Sequence, residues 1–405
     1  MEIKKILIQG RVEVLIKKIT DRVTYIGVQD EKLRKFDIVF DTKYGTTYNS
    51  YLVKGSEKTV IIDTVKDTFL EEYLKNIEEL TTFDKIDYIV LNHAEPDHSG
   101  SLQKVLEKAI NAKVVCSRPA SMLVNELVNK QLDYIIVGTG DSLDLGDVSL
   151  EFVNAPYLHW PETMFTYLKA EKVLFPCDFF GSHYGEDTVD YRISEDDMWE
   201  NRKFYFDAIM RPFKKFALEA MDKIEDWEVD IICPSHGPIH REDFANTKAI
   251  YRKWSTEEKR EKKVLVGYLS CYGYTKSMAE EVYRGVKDTG VAAELIDLSD
   301  ETIDLVKKIE EAEAIAVGSA TINRDVLEPF SNIFGKVCTY IVRGKKAVVF
   351  GSFGWSGEAT KHMTERLTQL GYEVIGSYKT KLKPNEAALK DSYDLGVQLA
   401  KSILE

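Results

Sequence analysis

The segment His93-Ala94-Glu95-Pro96-Asp97-His98 places four potential metal ligands within six residues, directly behind the apolar run Ile86-Asp87-Tyr88-Ile89-Val90-Leu91. Three more ligand-type residues stand in the same setting. His159 follows residues 150–156, Asp178 follows 173–177 and His236 follows 231–235, each an apolar stretch that reads as a strand. Imidazole nitrogens and carboxylate oxygens suit first-row divalent ions, and strand ends hold such donors on rigid supports. Seven donors on four strand ends suit two ions that share a bridging carboxylate. One ion fits His93 and Glu95, a neighbouring one fits Asp97 and His98, and His159 and His236 complete the two separately with Asp178 as the bridge. A lone His–Asp pair in a loop is ordinarily a hydrogen-bonded surface group, but four of the seven histidines fall at strand ends here. Glu95, Asp97 and Asp178 set three negative charges against four from two divalent ions. A bridging hydroxide brings the sum to zero, which lowers the cost of burial. His183, five residues beyond Asp178, reads either as support behind the ligands or as an ordinary loop histidine. His240 and His362 read as surface or packing residues.

A second constellation lies in Leu269-Ser270-Cys271-Tyr272-Gly273-Tyr274-Thr275-Lys276. It reads as strand, S-x-x-G-x-T loop, helix. Hydroxyls of Ser270 and Thr275 and the loop N–H groups can ring a phosphate at a helix N-terminus, where Gly273 lets the backbone approach. The loop has neither G-x-x-x-x-G-K-[ST] nor G-x-G-x-x-G. It resembles the phosphate loop of flavodoxins, which bind FMN. Two further loops also follow strands: Gly318-Ser319-Ala320-Thr321-Ile322-Asn323 and Gly351-Ser352-Phe353-Gly354-Trp355-Ser356-Gly357. Loops at the carboxyl ends of a parallel sheet are where such folds bind ligands. Trp355, between glycines, has the shape to stack on an isoalloxazine ring, with packing as the alternative.

These sites need supports. Short β segments are expected at 23–28, 50–54 and 58–64, helical patterns at 70–80 and 101–110, and strands again near 135–137 and 148–153. Strands followed by helices, twice over, suit two sheets packed face to face with helices outside. The polar run 255–263 marks the expected boundary between residues 1–258 and 259–405. Beyond it, strands at 264–269, 292–298, 314–317 and 347–350 alternate with helices at 276–286, 360–370 and 386–404, implying a doubly wound parallel sheet. A chain of 405 residues suits two domains. The net charge of −13 argues against nucleic acid or an anionic membrane as partner. The five cysteines are scattered with no C-x-x-C pair, which suits a reducing compartment and leaves no rubredoxin-type iron site. Without a signal-type apolar region after Met1-Glu2-Ile3-Lys4-Lys5, or any apolar run near ~18 residues, a cytoplasmic protein is expected.

The ligand order resembles that of the metallo-β-lactamase superfamily, whose zinc members carry H-x-H-x-D-H; here Glu95 replaces the second histidine. A hard carboxylate in place of imidazole shifts preference from zinc toward iron. An H-x-E-x-D-H domain followed by a flavodoxin-like domain resembles the flavodiiron protein family over essentially the whole chain. That resemblance implies an N-terminal αβ/βα sandwich plus a flavodoxin-like domain, all α/β. It implies one iron on His93, Glu95, His159 and Asp178, and another on Asp97, His98, Asp178 and His236. It further implies FMN, a head-to-tail homodimer or tetramer in which the FMN of one subunit lies beside the diiron site of the other, and reduction of dioxygen to water or of nitric oxide to nitrous oxide. Among family members the closest resemblance is to methanogen oxidases of the reduced deazaflavin coenzyme F-420; rubredoxin is the donor in many other members. The competing readings are a binuclear zinc hydrolase fused to a flavodoxin module, and an electron carrier with a vestigial metal domain.

Overall fold

The computed structural model describes residues 16–185, 195–241, 243–256 and 262–404. The chain divides into two compact units, Met1–Glu257 and Glu258–Glu405. Most of the polar run 255–263 lies outside the described residues, as does the N-terminal segment Met1-Glu2-Ile3-Lys4-Lys5.

In the first unit a seven-stranded sheet runs β1 (Lys17–Lys18), β2 (Val23–Tyr25), β3 (Tyr51–Lys54), β4 (Thr59–Ile62), β5 (Tyr88–Leu91), β6 (Lys113–Cys116) and β7 (Tyr134–Ile136) in spatial order. Pairing is antiparallel as far as β4 and parallel from β4 to β7. The parallel strands are continuous apolar runs because both of their faces are covered. In β5, Val90 points into the space between the sheets, while Ile89 and Leu91 point to the helical side. On that side α1 (Leu70–Glu78), α3 (Leu102–Lys108) and α4 (Arg118–Val128) bury Tyr73, Ile77, Leu102, Val105, Ala120 and Val124. A one-turn helix, α2 (Pro96–Ser99), precedes α3.

The second sheet runs β8 (Ser142–Asp144), β9 (Ser149–Asn154), β10 (Met164–Leu168), β11 (Val173–Phe175) and β12 (Ile231–Ile232). Leu150, Phe152 and Phe175 meet Val53, Val60 and Val115 of the first sheet in one core. The outer face, with Phe165, Tyr167 and Leu174, is covered by α5 (Glu195–Tyr205), α6 (Lys214–Lys223) and α7 (Phe244–Ser255). This is the αβ/βα sandwich expected from the strand and helix order.

One expected strand divides. Residues 23–28 read as a single strand, but β2 ends at Tyr25, and Val28–Asp30 pairs instead with Thr46–Tyr48. Gly27 makes the break possible: a Cβ there would stand 2.4 Å from the Tyr48 carbonyl oxygen, so the chain crosses closely where only hydrogen fits.

The second unit is a five-stranded, wholly parallel sheet in the order β14-β13-β15-β16-β17. These strands are β13 (Lys263–Leu269), β14 (Ala292–Asp297), β15 (Ala314–Ser319), β16 (Lys346–Phe353) and β17 (Glu373–Lys381). Among its helices are α8 (Tyr274–Asp288), α9 (Leu305–Glu311), α10 (Glu328–Phe334), α11 (Ala359–Gln369) and α12 (Glu386–Leu404). Apolar cores line both faces of the sheet, the doubly wound arrangement. No helix among the described residues is long and apolar enough to cross a membrane.

Candidate functional site

In the first unit, the chain leaving the carboxyl ends of β5, β9, β11 and β12 carries all seven metal-type donors to one place. Asn92, the first residue past β5, is fully buried and ties the two sheets together. Its N–H donates to Asp63 Oδ1 (2.7 Å), its Nδ2 donates to the Phe175 carbonyl (3.3 Å), and its Oδ1 accepts from Thr166 Oγ1 (2.6 Å). His93 therefore starts from a rigid base. Pro96 at the first position of α2 presets its φ, and Ser99 Oγ donates to the Ala94 and Glu95 carbonyls (2.7 and 2.9 Å). That turn places Asp97 and His98 beside, rather than behind, the pair His93 and Glu95.

The donors form two sets. In the first, Glu95 Oε2 lies 3.1 Å from His93 Nε2 and 3.0 Å from His159 Nε2. Asp178 Oδ2 lies 3.5 and 3.6 Å from the same two nitrogens. In the second set, Asp97 approaches His98 Nε2 (3.3 Å) and His236 Nε2 (3.1 Å). Asp178 Oδ1 stands 3.2 and 3.5 Å from these nitrogens. Two donors each about 2.1 Å from one ion and seen at roughly 90–110° stand about 3.0–3.4 Å apart, so both sets have the spacing of a coordination sphere. Asp178 turns one oxygen to each.

A second observation tests the fit of an ion. Both oxygens of Asp97, both of Asp178 and Nε2 of His98 are buried and make no hydrogen bond among the described residues, despite their closeness. Buried carboxylate oxygens left in that state cost several kcal/mol each. They are aimed at common points instead of at one another, which suits cations placed between them.

The electrostatics agree. Burial opposes charge on His93, but its hydrogen bonds to Glu162 and Glu95 and the charge of Asp178 outweigh it and hold its pKa well above the ordinary value. His98 is likewise raised to about 9, burial being outweighed by Asp97 and Asp178. Burial opposes ionisation of Asp178 as well, yet His98, His93 and His236 bring its pKa well below the usual carboxylate range. The cluster attracts positive charge, and protons and metal ions compete for it.

Second contacts orient the imidazoles. His236 Nδ1 faces the Thr47 carbonyl at 2.6 Å, and His93 Nδ1 faces Glu162 Oε1 at 2.6 Å. Donation from Nδ1 leaves Nε2 free as the ligating atom. Neither Glu162 nor Asn92 announces itself in sequence: both are single polar residues without periodic context, and the side chains they meet, His93 and Thr166, lie 69 and 74 residues away. His183 is buried, with Nδ1 3.0 Å from Thr46 Oγ1. Its ring packs on Phe36 (4.3 Å) and lies 5.5 Å from that of His236, so it stands behind the donors and not among them. Of the two readings left open for it, support behind the donor sets fits this position. Burial, with the charge of His236, lowers its pKa to about 3. His240 is a fully buried packing residue, not a surface one, and His362 sits on the surface against Asp325 (2.6 Å). A cavity of about 390 Å³, lined in part by Phe36, Lys66, Glu95 and Asp97, opens onto the donor cluster.

In the second unit three loops leave the carboxyl ends of adjacent strands: 270–273 after β13, 320–323 after β15 and 354–357 after β16. Helix α8 begins at Gly273, whose φ of +82° favours glycine, and no side chain caps its first turn. No atom lies within 4 Å of where a Cβ on Gly273 would stand. Ser270 Oγ is buried and has no hydrogen-bond partner among the described residues. An uncapped helix N-terminus beside an unpartnered hydroxyl fits a phosphate. Thr275 departs from the expected role, since its buried Oγ1 lies 2.9 Å from Ser352 Oγ and ties the first turn of α8 to the end of β16. Cys271, Tyr272, Ile322, Asn323, Trp355 and Ser356 are exposed. Tyr274, Ala320, Thr321, Phe353 and Gly354 are half-buried, and Ser352 and Gly357 are buried. Trp355 at 94% and Tyr272 at 85% exposure are flat apolar surfaces free to take a ring.

Residues 46–237 match the family described as ODP family beta lactamase, and residues 266–396 match Flavodoxin. The flavo-diiron protein FprA2 of Clostridium acetobutylicum is 39% identical over 95% of this chain and 99% of its own. A nitric oxide reductase of Moorella thermoacetica is 34% identical over 96% and 98%. The solved rubredoxin oxygen:oxidoreductase of Desulfovibrio gigas is 29% identical, with a TM-score of 0.71 over 96% of this chain and 99% of that one.

Proposed function

This chain belongs to the flavodiiron protein family, and from that premise we propose that it reduces dioxygen to water at a diiron centre fed through FMN by a reduced deazaflavin coenzyme of the F-420 type. At the coarser level it is an oxidoreductase of dioxygen or nitric oxide that carries two irons and FMN. The observation that carries the reading is the pair of donor sets sharing Asp178, one oxygen turned to each.

In this reading His93, Glu95, His159 and Asp178 hold one iron, and Asp97, His98, Asp178 and His236 hold the other. Ser270, Gly273 and the first turn of α8 hold the FMN phosphate, and Trp355 stacks on the ring. The diiron unit is assigned to residues 1–258 and the FMN unit to 259–405. When bound, the irons supply open positions and two electrons and the reduced flavin supplies two more, the four that dioxygen needs to become two waters. Residues of the chain do the rest. Glu95, Asp97 and Asp178 neutralise the cation charge, and the buried surroundings of His93, His98 and Asp178 keep bulk water from the donors. The cavity beside Glu95 and Asp97 admits a diatomic gas.

In this proposal the electrons come from a soluble donor, and the five scattered cysteines of this sequence hold no C-x-x-C pair. A two-electron hydride donor matches a flavin. A cytoplasmic, head-to-tail homodimer or tetramer completes the reading. The second reading, nitric oxide reduction by the same centre, is favoured by the 34% identity to a nitric oxide reductase. A zinc hydrolase is disfavoured by the carboxylate of Glu95. Anaerobic oxidation of reduced deazaflavin, followed on adding dioxygen and then nitric oxide with iron and FMN counted in the same sample, tests all of these. Faster oxidation with dioxygen is expected. Faster oxidation with nitric oxide would select the second reading, none with either gas would remove the deazaflavin donor, and two zinc ions would remove the oxidoreductase.

A further inference from the structure

We infer that Glu162 is a positioning residue that makes the two metal positions electronically unequal, by placing a buried negative charge behind His93 alone. The inference rests on the diiron reading above.

Four observations carry it. Glu162 is 1% exposed, with Oε1 2.6 Å from His93 Nδ1 and accepting from the Ala94 N–H at 3.0 Å. Its carbonyl accepts from Ser117 Oγ at 2.7 Å, so the backbone that carries it is tied to the start of α4. Its other oxygen is buried without a hydrogen bond among the described residues. The Trp160 and His93 rings pack in a T-shaped contact with centroids 5.2 Å apart. Among the described residues no Lys or Arg lies within ion-pair distance of the Glu162 carboxylate, whose one titratable neighbour at that range is His93. A buried carboxylate in that state is costly unless its charge is answered through the imidazole it touches.

The matching position in the other donor set differs. His236 Nδ1 faces a neutral carbonyl, that of Thr47, and His98 Nδ1 has no partner among the described residues. A carboxylate behind an imidazole fixes the tautomer and raises the basicity of the ligating nitrogen, whereas a carbonyl fixes the tautomer with less charge. The ion on the His93 side therefore sees more negative charge and holds its higher oxidation state longer. Glu162 thus adds a fully buried carboxylate behind the donor set that already contains Glu95 and Asp178.

Glu162→Gln tests this, because the amide oxygen can keep both hydrogen bonds at Oε1 while the negative charge is removed. Anaerobic ferrous titration and stepwise reductive titration of the full protein, with 57Fe Mössbauer spectra, are compared with wild type. One iron should bind about 10–100-fold more weakly. One of the two one-electron steps should move to higher potential, with one of the two iron signals altered and circular dichroism unchanged. Glu162→Asp, which keeps the charge, should retain the wild-type separation of the steps. Unchanged affinity and unchanged steps in Glu162→Gln would overturn the inference. So would equal shifts in the Asp and Gln variants, or an unfolded Gln variant, since each would assign Glu162 to packing. Wild-type protein that takes up no iron in the same titration would instead overturn the diiron reading itself.

Discussion

Asp178 is the residue on which both donor sets depend, since each of its oxygens faces a different pair of imidazoles. Asp178→Ala should lose both irons, not one, read as less than about a tenth of wild-type iron by elemental analysis; full iron content would refute the bridge. In the proposed reading Ser270 has the corresponding role for the flavin phosphate. Its unpartnered Oγ marks it as the stronger test of the phosphate loop, because the Thr275 hydroxyl is already committed to Ser352. A hydrogen bond to a charged group contributes about 1.5–3 kcal/mol, so Ser270→Ala should weaken FMN binding at least about tenfold, measured by flavin fluorescence on titration. Full affinity would remove Ser270 from the site. The buried histidines outside the donor sets set the acid limit. Burial holds His240 well below its ordinary pKa and His183 at about 3. Both are neutral when folded, and the unfolded chain takes up their protons as pH falls below about 6.5. Stability from these groups is thus fully present above about pH 6.5 and is lost on acidification, down to about pH 3 for His183, at about 1.4 kcal/mol per pH unit for each. His240 has no hydrogen-bond partner among the described residues, so His240→Leu should be near neutral at pH 7 and should flatten the acid limb in denaturant unfolding. An unchanged slope would show that His240 is charged in the fold.

At the scale of elements, the strands that deliver the donors were legible because the sandwich buries both of their faces. Runs such as Tyr88–Leu91 are apolar throughout, and the ligand-type residue comes directly after them. The αβ/βα order and the parallel sheet of the second unit followed from the same patterns. What stayed hidden depends on contacts remote in sequence. Glu162 and Asn92 carry no period. The break at Gly27 is set by Tyr48, and β10, buried at every position, carries the polar Thr166 at its centre, which is paired with the remote Asn92. The hairpin Lys35–Phe36 with Phe40–Asp41 was also unread. Its turn holds Asp37 and Ile38 at φ of 47° and 69°, and Ile38 is 85% exposed. A β-branched residue in the left-handed region costs roughly 1–2 kcal/mol. Glycine removes that strain but adds about 0.5–1 kcal/mol of unfolded-state entropy. Ile38→Gly should therefore raise stability by about 0.5–1 kcal/mol, seen as a higher melting temperature. A fall instead would mean that this apolar tip is covered in the assembled protein.

At the scale of the whole molecule, each cofactor site is built from one unit only. All seven donors, with Glu162 and Asn92 behind them, come from residues before 257, and all three flavin loops from residues after 258. Among the described residues, each set named for a site lies within one unit, so the two binding equilibria should be independent even though turnover needs both. Asp178→Ala should keep one FMN per chain with wild-type affinity while losing its iron. Ser270→Ala should keep two irons while losing flavin. In both variants the oxidation of donor coupled to dioxygen should fall by more than about a hundredfold, because neither cofactor alone holds four electrons. The measurement is iron and FMN content of each variant beside its oxygen consumption. Loss of both cofactors from either variant would mean that one unit needs the other to fold or to close its site, and the separation at about residue 258 would then describe the architecture without describing the binding.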